Sequence, residues 1–248
     1  MKKLLTLLTA AMMLTGTVAL AENVDATSGA SQVVHNELQL PQEEIRALAV
    51  DYLRGFPLTK NEDGSVKDWA YREMYQIATV HGDMPGLSSV EFVLDPDTMR
   101  LYCSSEKGTE KVVDIATNPN VVMYWYKQIP ETEYVPQVND YFNSYGVQIK
   151  GTARLMDGTE DSFFKGASLY MRTLYGPERW DAMDEETQKA TIGRIATVNE
   201  WVEIVPTEYV VTNLAWSFNT ENSRRPQYYD PQSPFFGKEP RQVYYVVD

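Results

Sequence analysis

The sequence has one cysteine and two histidines among its 248 residues. The single thiol, Cys103, excludes an intramolecular disulfide framework and a cysteine-rich zinc site. The two histidines, His35 and His81, leave little for a metal centre built from imidazoles. Signatures of phosphate loops, dinucleotide-binding folds, serine hydrolases and zinc proteases are also missing from the sequence. These absences exclude many of the common enzyme classes.

Basic side chains are also scarce, because 22 Lys+Arg stand against 35 Asp+Glu and give a formal net charge of -13. A negative surface repels phosphate backbones and anionic lipid headgroups, so neither nucleic acid nor a membrane surface is an expected partner. The apolar content of 43% is that of an ordinary globular protein rather than a disordered chain. We therefore expect a soluble globular protein.

The first 21 residues have the organisation of a secretory signal peptide. Lys2 and Lys3 precede the apolar run Leu4–Leu14, and Ala19-Leu20-Ala21 provides the small residues that signal peptidase requires. The apolar run is short for a bilayer span, although an uncleaved membrane anchor is the alternative. We expect export to the periplasm or the extracellular space, with no stable membrane anchor after cleavage.

The rest of the chain divides into a linker, one folded domain and a tail. Residues 22–40 are rich in Ser, Ala, Asn and Gln and lack a hydrophobic period, which is typical of a linker. Residues 41–215 carry clear strand and helix patterns. Residues 216–248 contain four prolines and many tyrosines, and no structure is assigned to them.

Hydrophobic periodicity predicts a mainly β domain with several helices. Helices are expected to begin at Pro41, Thr109, Glu160 and Glu185. The predicted strands are Tyr75–Val80, Val90–Leu94, Met99–Cys103, Val121–Tyr126, 147–155, Trp201–Val205 and Tyr209–Leu214, with Pro206 separating the last two. Many short strands with few helices favour a small antiparallel barrel over a doubly wound sheet.

One local cluster, residues 102–111, joins a predicted strand to a predicted helix. It contains hydroxyl groups, two ammonium groups and the free amides of a helix start, in an otherwise acidic protein. A phosphate dianion favours hydroxyl and amide donors with a cation nearby. A solvated hairpin end with Thr109 as a helix cap explains the same residues, so both interpretations stay open on spacing alone.

The order of several short motifs resembles the pyridoxamine 5′-phosphate oxidase-like proteins, which are flavin-binding split barrels. The resemblance covers roughly Tyr75–Leu214. The motifs are Ile77-Ala78-Thr79-Val80, Pro85, Val90–Leu94, Leu101-Tyr102, Thr109-x-Lys111, Asn118-Pro119-Asn120-Val121, Gly151-Thr152-Ala153 and Val205-Pro206. The resemblance implies an antiparallel Greek-key split barrel, mainly β with helices, that forms a homodimer with FMN in a groove between the two barrels.

The resemblance also implies which residues hold the cofactor. Thr109 and Lys111 match the positions that bind the flavin phosphate in the family. Cys103 and Ser104 fall on the strand end where the family has hydroxyl donors. Lys107 has no fixed counterpart and is included for its charge.

Ser88 and Ser89 complete the predicted cofactor site. In the family, the corresponding strand turns its backbone edge toward the flavin ring. No residue of this chain is assigned as a catalytic acid or base, and no metal is expected.

Several positions depart from the oxidases of the family. Cations that flank their second strand are replaced near Leu87 and Phe92, and the glutamine that starts their long alternating strand appears as Gly146, with Gln148 two residues later. No histidine follows Trp201, where the true oxidase has an Arg-x-His segment. These departures argue against synthesis of pyridoxal phosphate. They leave weaker flavin binding, another flavin-like ligand or no ligand as alternatives.

Other candidate residues are assigned structural roles. We expect Tyr124 and Tyr126 to share one face of a strand and to pack in the core. His81 is expected to be exposed in a turn, and Cys103 to be a buried, unreactive strand residue.

Three functions therefore remain. The first is an exported FMN-binding oxidoreductase with an unknown small-molecule substrate. The second is a non-catalytic split-barrel module that binds haem, a flavin or another planar ligand. The third is a structural dimer without a cofactor.

Overall fold

A computed structural model describes residues 39–53, 72–128, 144–213 and 241–247 of the chain. The predicted signal peptide, most of the predicted linker and most of the predicted tail lie outside the described residues. In the part of the chain that the structure describes, no helix is long and apolar enough to cross a bilayer.

Antiparallel strands contain more of the described residues than the helices do. Their bounds are β1 Arg72–His81, β2 Met84–Leu94, β3 Leu101–Glu106, β4 Asn120–Gln128, β5 Ser144–Leu155, β6 Asn199–Asn213 and β7 Arg241–Tyr245. Every described strand that the sequence predicts is present, but β2 begins six residues earlier than expected. The turn between β1 and β2 therefore contains only Gly82 and Asp83, and Gly82 has the positive φ of 58° that such a tight turn requires.

The strands lie in the order β3-β2-β1-β4-β5-β6-β7, and β3 also pairs with β6. That extra pairing closes the first six strands of this order into a barrel, while β7 extends the sheet beyond β6. β2 and β3 pair through two registered positions only, Val93 with Tyr102 and Leu94 with Leu101, so the barrel is split along this seam. The predicted antiparallel split-barrel fold is confirmed.

A single long strand, β6, replaces the two strands that the sequence predicts on either side of Pro206. The prediction failed because a proline removes one ladder hydrogen bond without ending a strand that bulges at that point. The register of β5 against β6 shifts between Lys150 and Gly151, and Gly151 lies opposite Pro206. A Cβ at Gly151 would collide with the backbone of Val205 and Pro206, so glycine allows this close approach.

Five helices of the described chain pack around the barrel. Their bounds are α1 Gln42–Leu53, α2 Glu110–Thr117, α3 Asp161–Tyr175, α4 Pro177–Asp181 and α5 Glu185–Ala196. The acidic pairs Glu43-Glu44 and Glu185-Glu186 lie in the first turns of α1 and α5, where they complement the helix dipole.

Strand β7 was not anticipated in the predicted tail, and it is tied to the start of α1. The Leu40 amide donates to Gln242 Oε1 at 2.6 Å, and Gln42 Nε2 donates to the Val243 carbonyl at 2.9 Å. Because these contacts join residues about two hundred positions apart, the two ends of the described chain contribute to one structure.

The described chain has a continuous apolar core that includes three fully buried tryptophans, Trp125 and Trp201 on strands of the barrel and Trp180 on α4. The expectation that Tyr124 and Tyr126 pack in this core is wrong. Both tyrosines are on the outer face of β4, with 43% and 54% exposure, because the alternation turns Trp125 inward instead.

Candidate functional site

The first feature of interest is the connection from β3 to α2, where the sequence predicts a phosphate site. Thr109 is the N-cap residue of α2, but its side chain makes no capping hydrogen bond. Its Oγ1 instead donates to the Glu106 carbonyl at 2.9 Å, which tightens the turn at Gly108. The Val112 amide of this turn donates to the Thr109 carbonyl at 3.0 Å, whereas the amides of Glu110 and Lys111 lack intrahelical acceptors, as in any helix, and so remain available to an anion.

The two lysines of this connection are in different situations. Lys107 lies beside Glu200, with its Nζ 3.8 Å from Oε1, and is 46% exposed. Lys111 is half-buried in the first turn of α2 and forms no ion pair with a carboxylate of the described residues. Its charge acts on the Cys103 thiol, although burial dominates and raises the pKa of that thiol well above its usual range. Lys111 is thus a partly buried cation without an acidic partner in the described chain.

The predicted donors on β3 are less accessible than expected. Cys103 is 1% exposed, and with its raised pKa it is the unreactive buried thiol that the sequence predicts. Ser104 is partly exposed and accepts a hydrogen bond from Asn199 Nδ2 at 2.6 Å, so its own proton remains available to another acceptor. The thiol of Cys103 is not offered to a surface ligand in this structure.

Ser88 and Ser89 lie in the middle of β2, on opposite faces of the strand. Ser89 is exposed, and its Oγ accepts a hydrogen bond from Gln76 Nε2 at 2.8 Å. Gln76 pairs in register with Tyr124 of β4, which in turn pairs with Gln148 of β5. A polar row with one aromatic ring therefore crosses four strands on the outer surface of the barrel.

Exposed apolar side chains surround this polar row. Tyr124 and Tyr126 stack with ring centroids 6.4 Å apart. The other large exposed apolar side chains of β1, β2 and β4 are Met74, Met84, Leu87 and Val122. Met74, Leu87 and Val122 lie on the same side of the sheet as the two tyrosines, whereas alternation places Met84 on the other side, at the end of β2. We call the five residues that share one side the outer apolar face.

A second cluster lies around Asp114, one turn further along α2 than Lys111. Asp114 is fully buried, and its Oδ2 accepts a hydrogen bond from Thr79 Oγ1 at 2.7 Å. Its Oδ1 lies 2.8 Å from Nδ1 of His81, whose side chain is 64% exposed. The Thr79 hydroxyl and His81 hold the pKa of Asp114 below its ordinary value against the opposing effect of desolvation. A Cβ at Gly86 would lie 3.8 Å from Asp114 Oδ2, so the start of β2 runs next to this carboxylate.

A cavity of about 350 Å³ lies at the other end of β3. Arg46, Arg100 and Lys165 line it, but each cation already has a partner in the chain. Arg46 donates to the Pro96 carbonyl, Arg100 to Glu203, and Lys165 to Asp95. The volume suits a small ligand, yet these cations offer no free positive charge to an anion.

The structure brings part of the predicted site together. Lys107, Thr109 and Lys111 share one connection, and the Gly86–Asp114 contact brings the strand of Ser88 and Ser89 alongside α2. Sequence reasoning missed Gln76 and Asp114. The sequence did contain a signal for Asp114, because this residue lies beside the apolar positions of α2 and a carboxylate in such a position needs a partner. The roles of the predicted residues in cofactor binding stay predictions.

Comparison with known proteins agrees with this architecture. The family model of pyridoxamine 5′-phosphate oxidase matches residues 65–179, which include the α2 start and the outer apolar face. The resemblance to pyridoxamine 5′-phosphate oxidase-like split-barrel proteins that the sequence motifs predict is therefore confirmed. Among curated proteins, none matches the chain significantly.

Solved structures of the same fold are distant in sequence. A candidate pyridoxamine 5′-phosphate oxidase from Listeria innocua is 18% identical with a TM-score of 0.36, over 59% of this chain and 93% of that chain. A heme binding protein from Mycobacterium smegmatis is 11% identical with a TM-score of 0.42, over 66% and 54%. A FAD-binding protein from Mesorhizobium loti is 12% identical with a TM-score of 0.38, over 55% and 80%. At these identities the similarity concerns the fold alone.

Proposed function

We propose that this protein is an exported FMN-binding oxidoreductase that acts as a homodimer on a small-molecule substrate. The observation that carries the proposal is the half-buried Lys111 ammonium in the first turn of α2, which has no acidic partner among the described residues. A partly desolvated cation beside free helix amides favours a bound anion. The family match over this segment supports a flavin phosphate as that anion.

The residues around α2 fit a phosphate, but with few charges. Lys111 and the first-turn amides would hold it, and Lys107 would add a more exposed charge that Glu200 already shares. Thr109 would have to exchange its hydrogen bond to Glu106 for one to the phosphate. Glu110, in the same turn, opposes a dianion. We therefore expect FMN to bind more weakly than in a site with several arginines.

The outer polar row fits the ring of the cofactor. The Gln76 amide and the Ser89 hydroxyl offer polar groups at one edge, and the Tyr124 ring offers an aromatic surface for stacking. When bound, the flavin would supply the redox chemistry, and the protein would fix its position and leave one face open to a substrate. No described side chain is assigned to proton transfer.

The outer apolar face supports a homodimer. Met74 and Leu87 are 53% and 70% exposed, which is unusual for large apolar side chains on adjacent strands of one barrel. A second copy that covers this face would remove the apolar surface from water and create the groove in which the ring would lie.

Flavin titration of the purified protein tests the proposal. We expect a yellow protein that absorbs at about 450 nm, or an apoprotein that takes up FMN to this state. Lys111→Ala should bind FMN about 10–100-fold more weakly, because a charge-assisted contact is lost. Lys189→Ala, which changes an exposed lysine on α5, is the matched control and should bind normally.

Two outcomes would contradict the assignment. A colourless protein that binds no FMN would remove the flavin function and favour the cofactor-free structural dimer. Unchanged FMN affinity in Lys111→Ala would remove the phosphate site. If flavin binds, its reduction under anaerobic conditions by candidate donors then tests whether the protein is an oxidoreductase.

A binding module for haem or another planar ligand is the second candidate. The stacked Tyr124 and Tyr126 rings favour it, because they offer a surface to any flat apolar molecule whether or not it has a phosphate. Titration with hemin distinguishes the two, since a haem site would give a Soret band and would not depend on Lys111.

Export is tested by expressing the full chain in a bacterial host and sequencing the N-terminus of the mature product. Cleavage after Ala21 would leave Glu22 as the first residue in the periplasm or medium. Retention of residues 1–21 in the cytoplasm would contradict the proposal.

A further inference from the structure

His81, Glu110 and Asp114 form a compact group at the start of α2 that neither the fold nor the flavin proposal requires. One ligand atom from each of the three side chains lies within 4.8 Å of the others. Glu110 and Asp114 are four residues apart on α2 and so share one face of the helix, while His81 ends β1. Of these three groups, none forms an ion pair with a Lys or Arg of the described chain.

We propose that these three residues form a binding site for a divalent transition-metal ion, with zinc as the reference ion. One imidazole nitrogen and two carboxylate oxygens are a ligand set that Zn²⁺ and its neighbours accept. Three protein ligands would leave at least one coordination position for water.

The charge distribution supports a cation rather than an anion. Asp114 is fully buried, and its two neighbours are a hydroxyl and an imidazole, neither of which carries a permanent positive charge. A buried carboxylate without a fixed countercharge is costly, and a bound metal ion supplies that charge. Glu110 adds a second negative charge from the exposed side.

The surrounding hydrogen bond resembles the support that metal ligands usually receive. Thr79 Oγ1 donates to Asp114 Oδ2 at 2.7 Å and leaves Oδ1 turned toward His81. A carboxylate that is held through one oxygen presents the other in a fixed direction to a metal. Thr79 is therefore a positioning residue for the proposed site.

The geometry requires a small adjustment. His81 Nδ1 and Asp114 Oδ1 are 2.8 Å apart, which is a hydrogen-bond distance. Two ligands of a tetrahedral zinc ion with bonds of about 2.0–2.1 Å are about 3.3 Å apart. Because the His81 side chain is 64% exposed, its ring can turn by this amount, with its proton moved from Nδ1 to Nε2.

Zinc titration of the tag-free, flavin-free protein, in competition with a chromogenic chelator, tests the site. We expect one Zn²⁺ per chain. His81→Ala and Glu110→Gln should each weaken binding at least about 10-fold, as expected for a lost ligand. The matched control Glu106→Gln makes the same chemical change as Glu110→Gln outside the cluster and should bind as the unmodified chain does. Cys103 does not compete, because it is buried.

Cobalt substitution provides a readout that does not depend on affinity. Co²⁺ in the proposed site should give visible d–d absorption that is lost in His81→Ala. Thr79→Val should lower zinc affinity about 10-fold or more, while Thr79→Ser should restore it. If Asp114→Asn fails to fold, the exposed ligands His81 and Glu110 still decide the question.

Three results would each overturn the proposal. The first is the absence of stoichiometric Zn²⁺ binding, and the second is Zn²⁺ binding that survives His81→Ala. The third is displacement of Zn²⁺ by millimolar Mg²⁺ from the unmodified chain and from His81→Ala to the same extent. Because the titration omits flavin, its failure leaves the FMN proposal untouched, and a colourless protein would leave the metal site untouched.

Discussion

Asp114 and Glu203 are both fully buried carboxylates, yet their hydrogen-bond partners differ in charge. Glu203 Oε1 accepts a hydrogen bond from Arg100 at 2.9 Å, and its Oε2 accepts one from Arg154 at 2.5 Å. The Tyr102 hydroxyl also donates to Oε1, at 3.3 Å. Asp114 has a threonine hydroxyl and an imidazole in the corresponding places.

The difference is that Glu203 has permanently charged partners, whereas Asp114 does not. Two guanidinium groups surround Glu203, and hydrogen bonds to carboxylates raise the pKa of both Arg100 and Arg154, so these two positive charges are fixed at any physiological pH. The charge of Asp114 has no such fixed partner. We infer that the Glu203 network connects β3, β5 and β6, whereas the Asp114 cluster is the place where this fold can accept a ligand.

The largest expected effect comes from breaking the Glu203 network with Arg154→Met. Methionine keeps the apolar packing of the stem but leaves Glu203 with Arg100 alone. Removing one partner of a buried ion pair costs several kcal/mol, and because Arg154 is 39% exposed and Arg100 remains, we expect a loss of about 2–3 kcal/mol. Urea unfolding measures the loss. Arg194→Met on α5 is the exposed control, and a loss no larger than in that variant would contradict the structural role of the network.

Thr79→Val is expected to have the next largest effect, on the other side of the comparison. The substitution preserves shape but removes the hydroxyl that donates to Asp114 from a position with 3% exposure. We expect the free energy of unfolding to fall by about 1–2 kcal/mol, because a buried hydrogen bond to a charged group is lost. Thr79→Ser should recover most of the loss. Equal stability of the valine and serine variants in urea would show that the hydroxyl does not support Asp114.

Around both Asp114 and Glu203, the sequence predicted the strands and helices better than the contacts between their side chains. Strict alternation along 147–155 gave most of β5 correctly, and the helix start at Thr109 was correct within a residue. These features depend on local period and capping chemistry, which a sequence displays directly.

The buried carboxylates were not predictable in the same way. Asp114 meets Thr79 and His81 across 35 and 33 positions, and Glu203 meets Arg100 across 103. Such pairs form only when strands and helices pack together, so no local sequence pattern predicts them. The error at Tyr124 has a similar cause, because alternation assigns residues to two faces but does not say which face lies inside the barrel.

Asp95 is intermediate between Glu203 and Asp114, and the pH dependence of stability can distinguish its contribution from theirs. Burial by itself raises its pKa, but the Lys165 ammonium, the Thr98 hydroxyl and the Asp97 amide together lower it below the ordinary value. The charged form is thus favoured in the folded chain, so its contribution is present above the unfolded pKa of about 3.9 and is lost as the pH falls through the folded pKa.

We therefore expect Asp95→Asn to reduce stability at neutral pH by about 1 kcal/mol, since Lys165 is largely exposed and screened by solvent. The difference between the two proteins should shrink as the pH falls below about 4. Urea unfolding at a series of pH values measures this difference, with Asp83→Asn in the exposed turn as control. If the stability difference between the unmodified chain and Asp95→Asn stays constant below about pH 4, the charge of Asp95 is not its cause.

The smallest effect is expected for Lys189→Met, which removes an exposed ion pair with Glu185 on α5. Lys189 also lies over the Phe164 ring, with its Nζ 5.2 Å from the centroid, so the variant loses a weak cation–π contact as well. Because water and salt screen both interactions, we expect a loss below about 1 kcal/mol that becomes smaller at high salt. A loss as large as that of Arg154→Met would mean that burial does not set the strength of these ion pairs. The contrast between Glu203 and Asp114 would then lose its energetic basis.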